Sequence, residues 1–205
     1  RKAVTAWDDS SRTAHWRNRG PDQPFFSVFN FNITHESQVW VQAENPLRVS
    51  EDLQVPIPPY LPDTAVAQRD VRQVYSNIVA MDEQVGQILE ELEQDGLLES
   101  TVIFWYSDHG GPLPRQKRLL YDAGLQVPMI VRYPDKWRAG QLDDQLISFV
   151  DFKSTALSLA GIEPPEYVDG RAFAGEFQSS ESRQFIKSAA YRYARQYETI
   201  RAVRA

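Results

Sequence analysis

Three histidines occur in the chain, and two of them, His35 and His109, follow short apolar runs, FFSVFNF at 25–31 and TVIFWY at 101–106. Asp108 stands beside His109, so a carboxylate and an imidazole leave the second run at one point. Gly110 and Gly111 come next and let the backbone approach a ligand closely. Eight residues beyond His109 is Lys117, in GPLPRQKRLLY, where two prolines and neighbouring glycines constrain the loop. A lysine held in such a loop is a point charge for sulfate or phosphate, and a carboxylate suits a hard cation. Each residue also has a plainer reading. Asp108 could cap a turn with His109 packed against it, His35 could be a satisfied strand-end histidine, and Lys117 could be a solvated loop residue. The residues alone leave both readings open; the functional one draws on the rule that ligands of open parallel α/β sheets bind in the crevice beyond the strand ends.

The elements that must position these residues can be read from periodicity. The run at 25–31 is almost continuously apolar, as in a strand covered on both faces. Residues 44–63 contain Pro46, Pro56, Pro58, Pro59 and Pro62, which forbid a regular helix or a central strand and leave a surface excursion. A helix follows from about 67 to 94, with Val71, Val74, Tyr75, Ile78, Met81, Val85, Ile88, Leu89 and Leu92 spaced by threes and fours and Gly96 as its cap. Its predicted buried stripe is Val74, Ile78, Met81, Val85 and Leu89. Residues 101–106 and 127–133 read as buried strands, and 149–160 as a second helix closed by Gly161. Alternating strand and helix predict an α/β domain with a mostly parallel sheet flanked by helices. The tail has strand signals at 185–189 and 199–203, with helix as the alternative.

Composition sets the bounds. The chain has 205 residues, 42% hydrophobic and 24% charged, enough for one sizeable core. Against 28 acidic residues stand 22 lysines and arginines, for a net charge of -6, so the overall field repels nucleic acid. Arg115, Lys117 and Arg118 form a local basic patch that a polyanionic partner could use. The lack of cysteine removes disulfides, thiolate catalysis and zinc–cysteine sites. No apolar run is long enough to span a membrane, and the first ten residues have no signal-type apolar stretch. A start that is not methionine and an end inside the patterned TIRAVRA point to a piece of a longer chain.

The run YSNIVAMDEQVGQILEELEQDGLLESTVIFWYSDHGG, the lysine after it, YDAGLQVPMIVRYP, ISFVDFKSTALSLAGI and VDG resembles the later half of the sulfatase catalytic domain, and PFFSVFNFNITHES extends the likeness upstream. The resemblance implies an incomplete alkaline phosphatase-like α/β fold over residues 1–205. It implies hydrolysis of a sulfuric ester or sulfamate, on a sulfated small molecule or glycan. It gives Asp108 the role of ligand to a divalent cation, usually calcium (Ca2+), with His109 beside it. Lys117 contacts the sulfate and helps the leaving oxygen depart, and His35 contacts the sulfate as well. An imidazole is a poor calcium ligand, so either His109 faces the substrate or the metal differs. The family also implies a periplasmic or extracellular location.

One family feature is missing from this sequence. Sulfatases use a formylglycine made from a Cys/Ser-x-Pro-x-Arg motif, together with an early pair of aspartates. The chain has no cysteine and no serine in that pattern; the look-alike at 111–115 begins with glycine. Formylglycine is therefore expected upstream, in the rest of a parent enzyme. Two alternatives stay open. A metal-dependent phosphodiesterase or phosphatase of the same superfamily is disfavoured because no histidine follows His109 to hold a second metal. The other is a non-catalytic glycan-binding remnant, which upstream sequence lacking the motif would identify.

Overall fold

The computed structural model describes residues 6–193 and 196–205. Residues 1–5, at the polar start, and 194–195, inside the predicted tail strands, lie outside the described residues.

The dominant element is helix α2, Ala65–Gln94, preceded by the single turn α1, Gln38–Val41, which rests against it. Thr64 starts α2 by accepting a 3.2 Å hydrogen bond from the Ala67 N–H. Gly96, at φ +69°, ends it, letting the Leu97 N–H reach back to the Leu92 carbonyl at 3.0 Å. The buried face differs from the predicted stripe. Val71, Ala80 and Leu92 are buried as apolar residues, but so are Gln73, Ser76 and Asn77, whereas Ile78 is 43% exposed. Gln73 and Asn77 satisfy each other at 2.9 Å, while Ser76 and two arginines of this helix tie the proline-rich excursion and its start to it. Arg72 donates to the Leu53 carbonyl (2.8 Å), Arg69 to the Ala43 carbonyl (2.9 Å), and Ser76 Oγ accepts from the Arg48 N–H (2.6 Å). An excursion without its own backbone ladder needs such donors and acceptors from a neighbour.

At its far end α2 receives the segment around Trp16, which is 3% exposed. The Trp16 indole N–H and the Arg17 guanidinium both donate to Asp95, at 2.7 and 2.8 Å, and His15 lies 3.0 Å from Glu91. Trp16 also stacks on Phe25 and meets Phe29 edge-on, with centroids 6.1 and 5.7 Å away.

Strands β1, Ile103–Tyr106, and β2, Met129–Arg132, form at the predicted places but pair antiparallel, with Ile103 opposite Arg132 and Tyr106 opposite Met129. The tail folds as strands β3, Ile186–Tyr193, and β4, Gln196–Arg204, which also pair antiparallel. Among the described residues the sheets are these two antiparallel pairs, so the expected mostly parallel sheet is not found. Parallel neighbours need a crossover that carries the chain back to its starting edge. Between β1 and β2 the chain instead forms a loop with one short helix, α3, Asp122–Leu125, and turns directly back. Residues 25–31 belong to neither sheet; Phe26 is 70% exposed and Val28 49%.

Helix α4, Val150–Leu159, buries a polar face: Asp151, Ser154, Thr155 and Ser158 are each at most 2% exposed. They bind the segment after it. Ser154 Oγ donates to the Gly170 carbonyl (2.7 Å), Thr155 Oγ1 accepts from the Phe173 N–H (3.1 Å), and Ser158 Oγ accepts from the Phe177 N–H (2.8 Å). Phe173 is thereby held against Phe104 of β1 and Phe152 of α4, at centroid distances of 6.2 and 6.0 Å. This aromatic cluster supports the strand that leads into Asp108.

Candidate functional site

Two loops meet at His35 and Lys117. The first is the turn after residues 25–31, where the Gln38 N–H bonds the His35 carbonyl at 2.8 Å. The second leaves β1 and closes on itself. The Lys117 N–H donates to the Gly111 carbonyl (3.2 Å), the Gln116 Oε1 accepts from the Leu113 N–H (3.0 Å), and the Gly110 N–H reaches the Gly124 carbonyl (3.0 Å). The approach of Gly110 to Gly124 is so close that a Cβ on Gly110 would come 2.0 Å from the Ala123 carbonyl oxygen. Arg115 and Arg118, on either side of Gln116 and Lys117, take left-handed φ values of +64° and +74°. Such conformations cost on the order of 1 kcal/mol or more at non-glycine residues and persist where surroundings enforce them.

The Lys117 ammonium lies 3.0 Å from His35 Nε2. Because the ammonium can only donate, Nε2 accepts, while Nδ1 lies 2.9 Å from Ser37 Oγ and 3.2 Å from the Ser37 N–H that points to it. The next residue of each loop pairs as well. Arg118 grips Glu36 with two guanidinium nitrogens, one at 2.8 Å, and Lys117 stands 4.0 Å from the same carboxylate. The hydrogen bond from Arg118 holds the Glu36 carboxyl below the ordinary 4.5, with the charges of Lys117, Arg118 and His35 assisting against the opposing pull of burial. His35 and Lys117 were legible in the sequence; Arg118 was read there only as part of a basic patch, and Glu36 was given no role. A consecutive His-Glu facing a consecutive Lys-Arg is the only signal that could have found them.

Asp108 and His109 leave β1 together, as predicted. The Asp108 side chain is 82% exposed. His109 Nδ1 donates to the Gly110 carbonyl at 2.8 Å, its Nε2 is 3.5 Å from Asp108 Oδ1, and its own carbonyl accepts from Ser107 Oγ at 2.6 Å. Calcium takes about six to eight oxygen ligands. Among the described residues there is no group of three or more His, Cys, Asp or Glu side chains able to hold a metal. One exposed carboxylate and an imidazole turned to its own backbone do not make a calcium site by themselves.

The sequence matches the sulfatase family model over residues 10–162. It is 48% identical to an ulvan-active sulfatase of Formosa agariphila, across 98% of this chain and 39% of that protein. It is 32% identical to human N-sulphoglucosamine sulphohydrolase, across 57% of this chain and 24% of that protein. A solved structure from work on the metabolism of multiple glycosaminoglycans by Bacteroides thetaiotaomicron aligns with TM-score 0.55 and 25% identity, over 90% of this chain and 40% of that one. A protein solved in complex with its substrate, D-glucosamine-2-N,6-O-disulfate, aligns with TM-score 0.52 at 24% identity and shares the fold over 71% of this chain and 32% of that one. The chain thus spans well under half the length of the relatives it matches. A match that runs through both site loops, together with close identity across nearly the whole sequence, shows that this chain belongs to the sulfatase family.

Proposed function

We propose that the chain supplies the sulfate-gripping part of a longer enzyme that hydrolyses a sulfuric ester or sulfamate on a sulfated carbohydrate. The observation that carries this reading is the 3.0 Å contact between Lys117 Nζ and His35 Nε2, made by two loops far apart in sequence. A tetrahedral anion entering between them replaces that bond with two others. The Lys117 ammonium then donates to one sulfate oxygen, and His35 donates from Nε2 to another once that nitrogen carries a proton. As the ester bond breaks, negative charge grows on the leaving oxygen, and an ammonium already in place stabilises it without reorganisation. Glu36 and Arg118 keep the two donors in register.

Asp108 is this chain's share of a divalent-cation site, calcium in the reading adopted here, with the other oxygen ligands and the formylglycine nucleophile supplied by the rest of the parent enzyme. Bound there, a cation polarises the sulfate oxygens. The same parent covers residues 25–31, which accounts for the exposure of Phe26 and Val28. The work takes place in the periplasm or outside the cell.

The test is turnover of a chromogenic aryl sulfate by the full-length parent, its Lys117→Ala variant and the 205-residue chain alone. The parent turns over, the variant loses about 100- to 1000-fold, and the isolated chain is inactive. An unaffected Lys117→Ala parent removes the gripping role. Turnover by the isolated chain overturns the division of labour.

A further inference from the structure

The basic run Arg115-Gln116-Lys117-Arg118 carries three cations, and the fold gives them different surroundings. Arg118 is committed to Glu36 and Lys117 faces His35. Arg115 is exposed, and among the described residues it has no carboxylate partner and donates no hydrogen bond. It is nevertheless placed. Its guanidinium lies 5.4 Å from the ring centroid of Tyr60, from the proline-rich excursion, and 6.0 Å from that of Tyr121, at the start of α3. Two rings from two separate segments therefore flank a side chain whose backbone is held left-handed in a closed loop. Rings at these distances attract the guanidinium through their π-faces, and its five N–H donors stay available for an anion. A guanidinium held near two rings without a counter-charge, two residues from the sulfate-gripping lysine, is a receptor for a planar or tetrahedral anion.

We propose that Arg115, flanked by Tyr60 and Tyr121, forms a second anion-binding subsite that takes a carboxylate or a further sulfate on the sugar next to the reacting group. The proposal rests on the reading of Lys117 and His35 as the sulfate grip and adds to it a preference for polyanionic glycans. The tyrosines also present apolar ring faces on which a sugar can rest, with Tyr121 56% exposed. Because the charge of Arg118 is already matched by Glu36, the preference is assigned to Arg115 alone.

The experiment uses the full-length protein and four probes: a monoanionic aryl sulfate, a sulfated disaccharide bearing a uronate, the same disaccharide with its carboxyl reduced, and a disulfated disaccharide without uronate. Affinity is measured by calorimetry and hydrolysis by sulfate release, for the wild type, Arg115→Gln and Arg115→Lys. Arg115→Gln weakens binding of the matching polyanionic probe about ten- to hundredfold, the usual effect of losing a hydrogen bond to a charged group. Its affinity for the aryl sulfate and the turnover of that probe stay within twofold. Arg115→Lys recovers only part of the loss, because an ammonium lacks the fork. A loss on the uronate probe that vanishes after carboxyl reduction identifies the carboxylate, and a loss on the disulfated probe identifies the second sulfate. Equal binding by wild type and Arg115→Gln across all four probes overturns the proposal. If no probe is hydrolysed even by the wild type, the catalytic reading fails, while calorimetry still decides whether Arg115 selects polyanions. A comparable melting temperature for the two variants separates lost recognition from lost folding.

Discussion

Replacing Asp151 by alanine removes the acceptor that joins helix α4 to the segment after it, and the cost follows from three bonds. The carboxylate is 2% exposed and accepts from the Ser148 N–H at 2.8 Å, the Arg171 N–H at 2.9 Å and the Arg183 guanidinium. Deleting it leaves two backbone N–H groups without a partner, at about 1 to 3 kcal/mol for each that stays dry. It also leaves the Arg183 guanidinium, 22% exposed, without its counter-charge. Removing one member of a buried ion pair costs about 3 to 5 kcal/mol, because the remaining charge loses its compensation. These terms overlap, and water reaches part of Arg183, so the expected loss for Asp151→Ala is about 3 to 5 kcal/mol. Asp151→Asn keeps one acceptor oxygen but turns an N–H toward the remaining donors, and should lose about half as much. The assay is equilibrium urea unfolding of the full-length protein at pH 7, with amide exchange followed in β1. Exchange there should quicken, since Asp151 fixes the segment that presses Phe173 on Phe104. A loss below about 1 kcal/mol for Asp151→Ala would show that these bonds are easily replaced by water and that the polar face is not a structural joint.

The Glu36 carboxyl is held below its ordinary 4.5 in the folded chain, so its contribution is complete above that value and disappears as pH falls through the lower folded value. The difference in urea midpoint between wild type and Glu36→Gln should accordingly be constant at neutral pH and close on acidification below 4.5; a gap that persists unchanged in acid contradicts the Arg118 pairing. Leu92→Ala, at a site 4% exposed, should cost about 2 to 5 kcal/mol, whereas Ile78→Ala, at a site 43% exposed, should cost under about 1 kcal/mol in proportion to the smaller area removed from water. Equal losses at the two positions, measured by urea unfolding, would restore the face read from the sequence.

That reversal between Ile78 and Leu92 shows where periodicity stops being informative. The spacing of apolar residues located α2 to within two residues at its start, because repeated threes and fours over eight turns leave few other structures possible. It located the buried side only in part: Val71 and Leu92 of the periodic set are buried, whereas Ile78 is exposed. Ser76 lies inward because the excursion at 44–63 needs hydrogen-bonding partners, a need that arises from a segment with no periodic signal of its own, and Gln73 and Asn77 are buried beside it bonded to each other. The polar face of α4 was hidden for the same reason: Asp151, Ser154, Thr155 and Ser158 look like solvent-facing residues until residues 170–177 are laid across them. The sheet failed differently. Both β1 and β2 were found, but an apolar run specifies a strand without specifying its neighbour, and alternation of strand and helix was read as parallel pairing where the chain turns straight back.

The site was legible to the extent that position alone carries chemistry. His35 and Lys117 were singled out because one follows an apolar run and the other sits in a loop stiffened by prolines, and the structure brings them to 3.0 Å. The distinction among the three cations of the basic run was beyond the sequence. Arg115 and Arg118 are the same residue type, three positions apart, in the same unusual backbone region. They differ in their surroundings: a carboxylate from a distant turn matches the charge of Arg118, whereas Arg115 lies near the rings of distant Tyr60 and of Tyr121, six residues on, which leave its charge unmatched. An arginine already paired must break that pair before it can bind an anion, whereas one that is only flanked by rings pays no such cost. The chemistry available to each is therefore decided largely by Glu36 and Tyr60, more than fifty residues away in the chain, the kind of information that no local pattern contains.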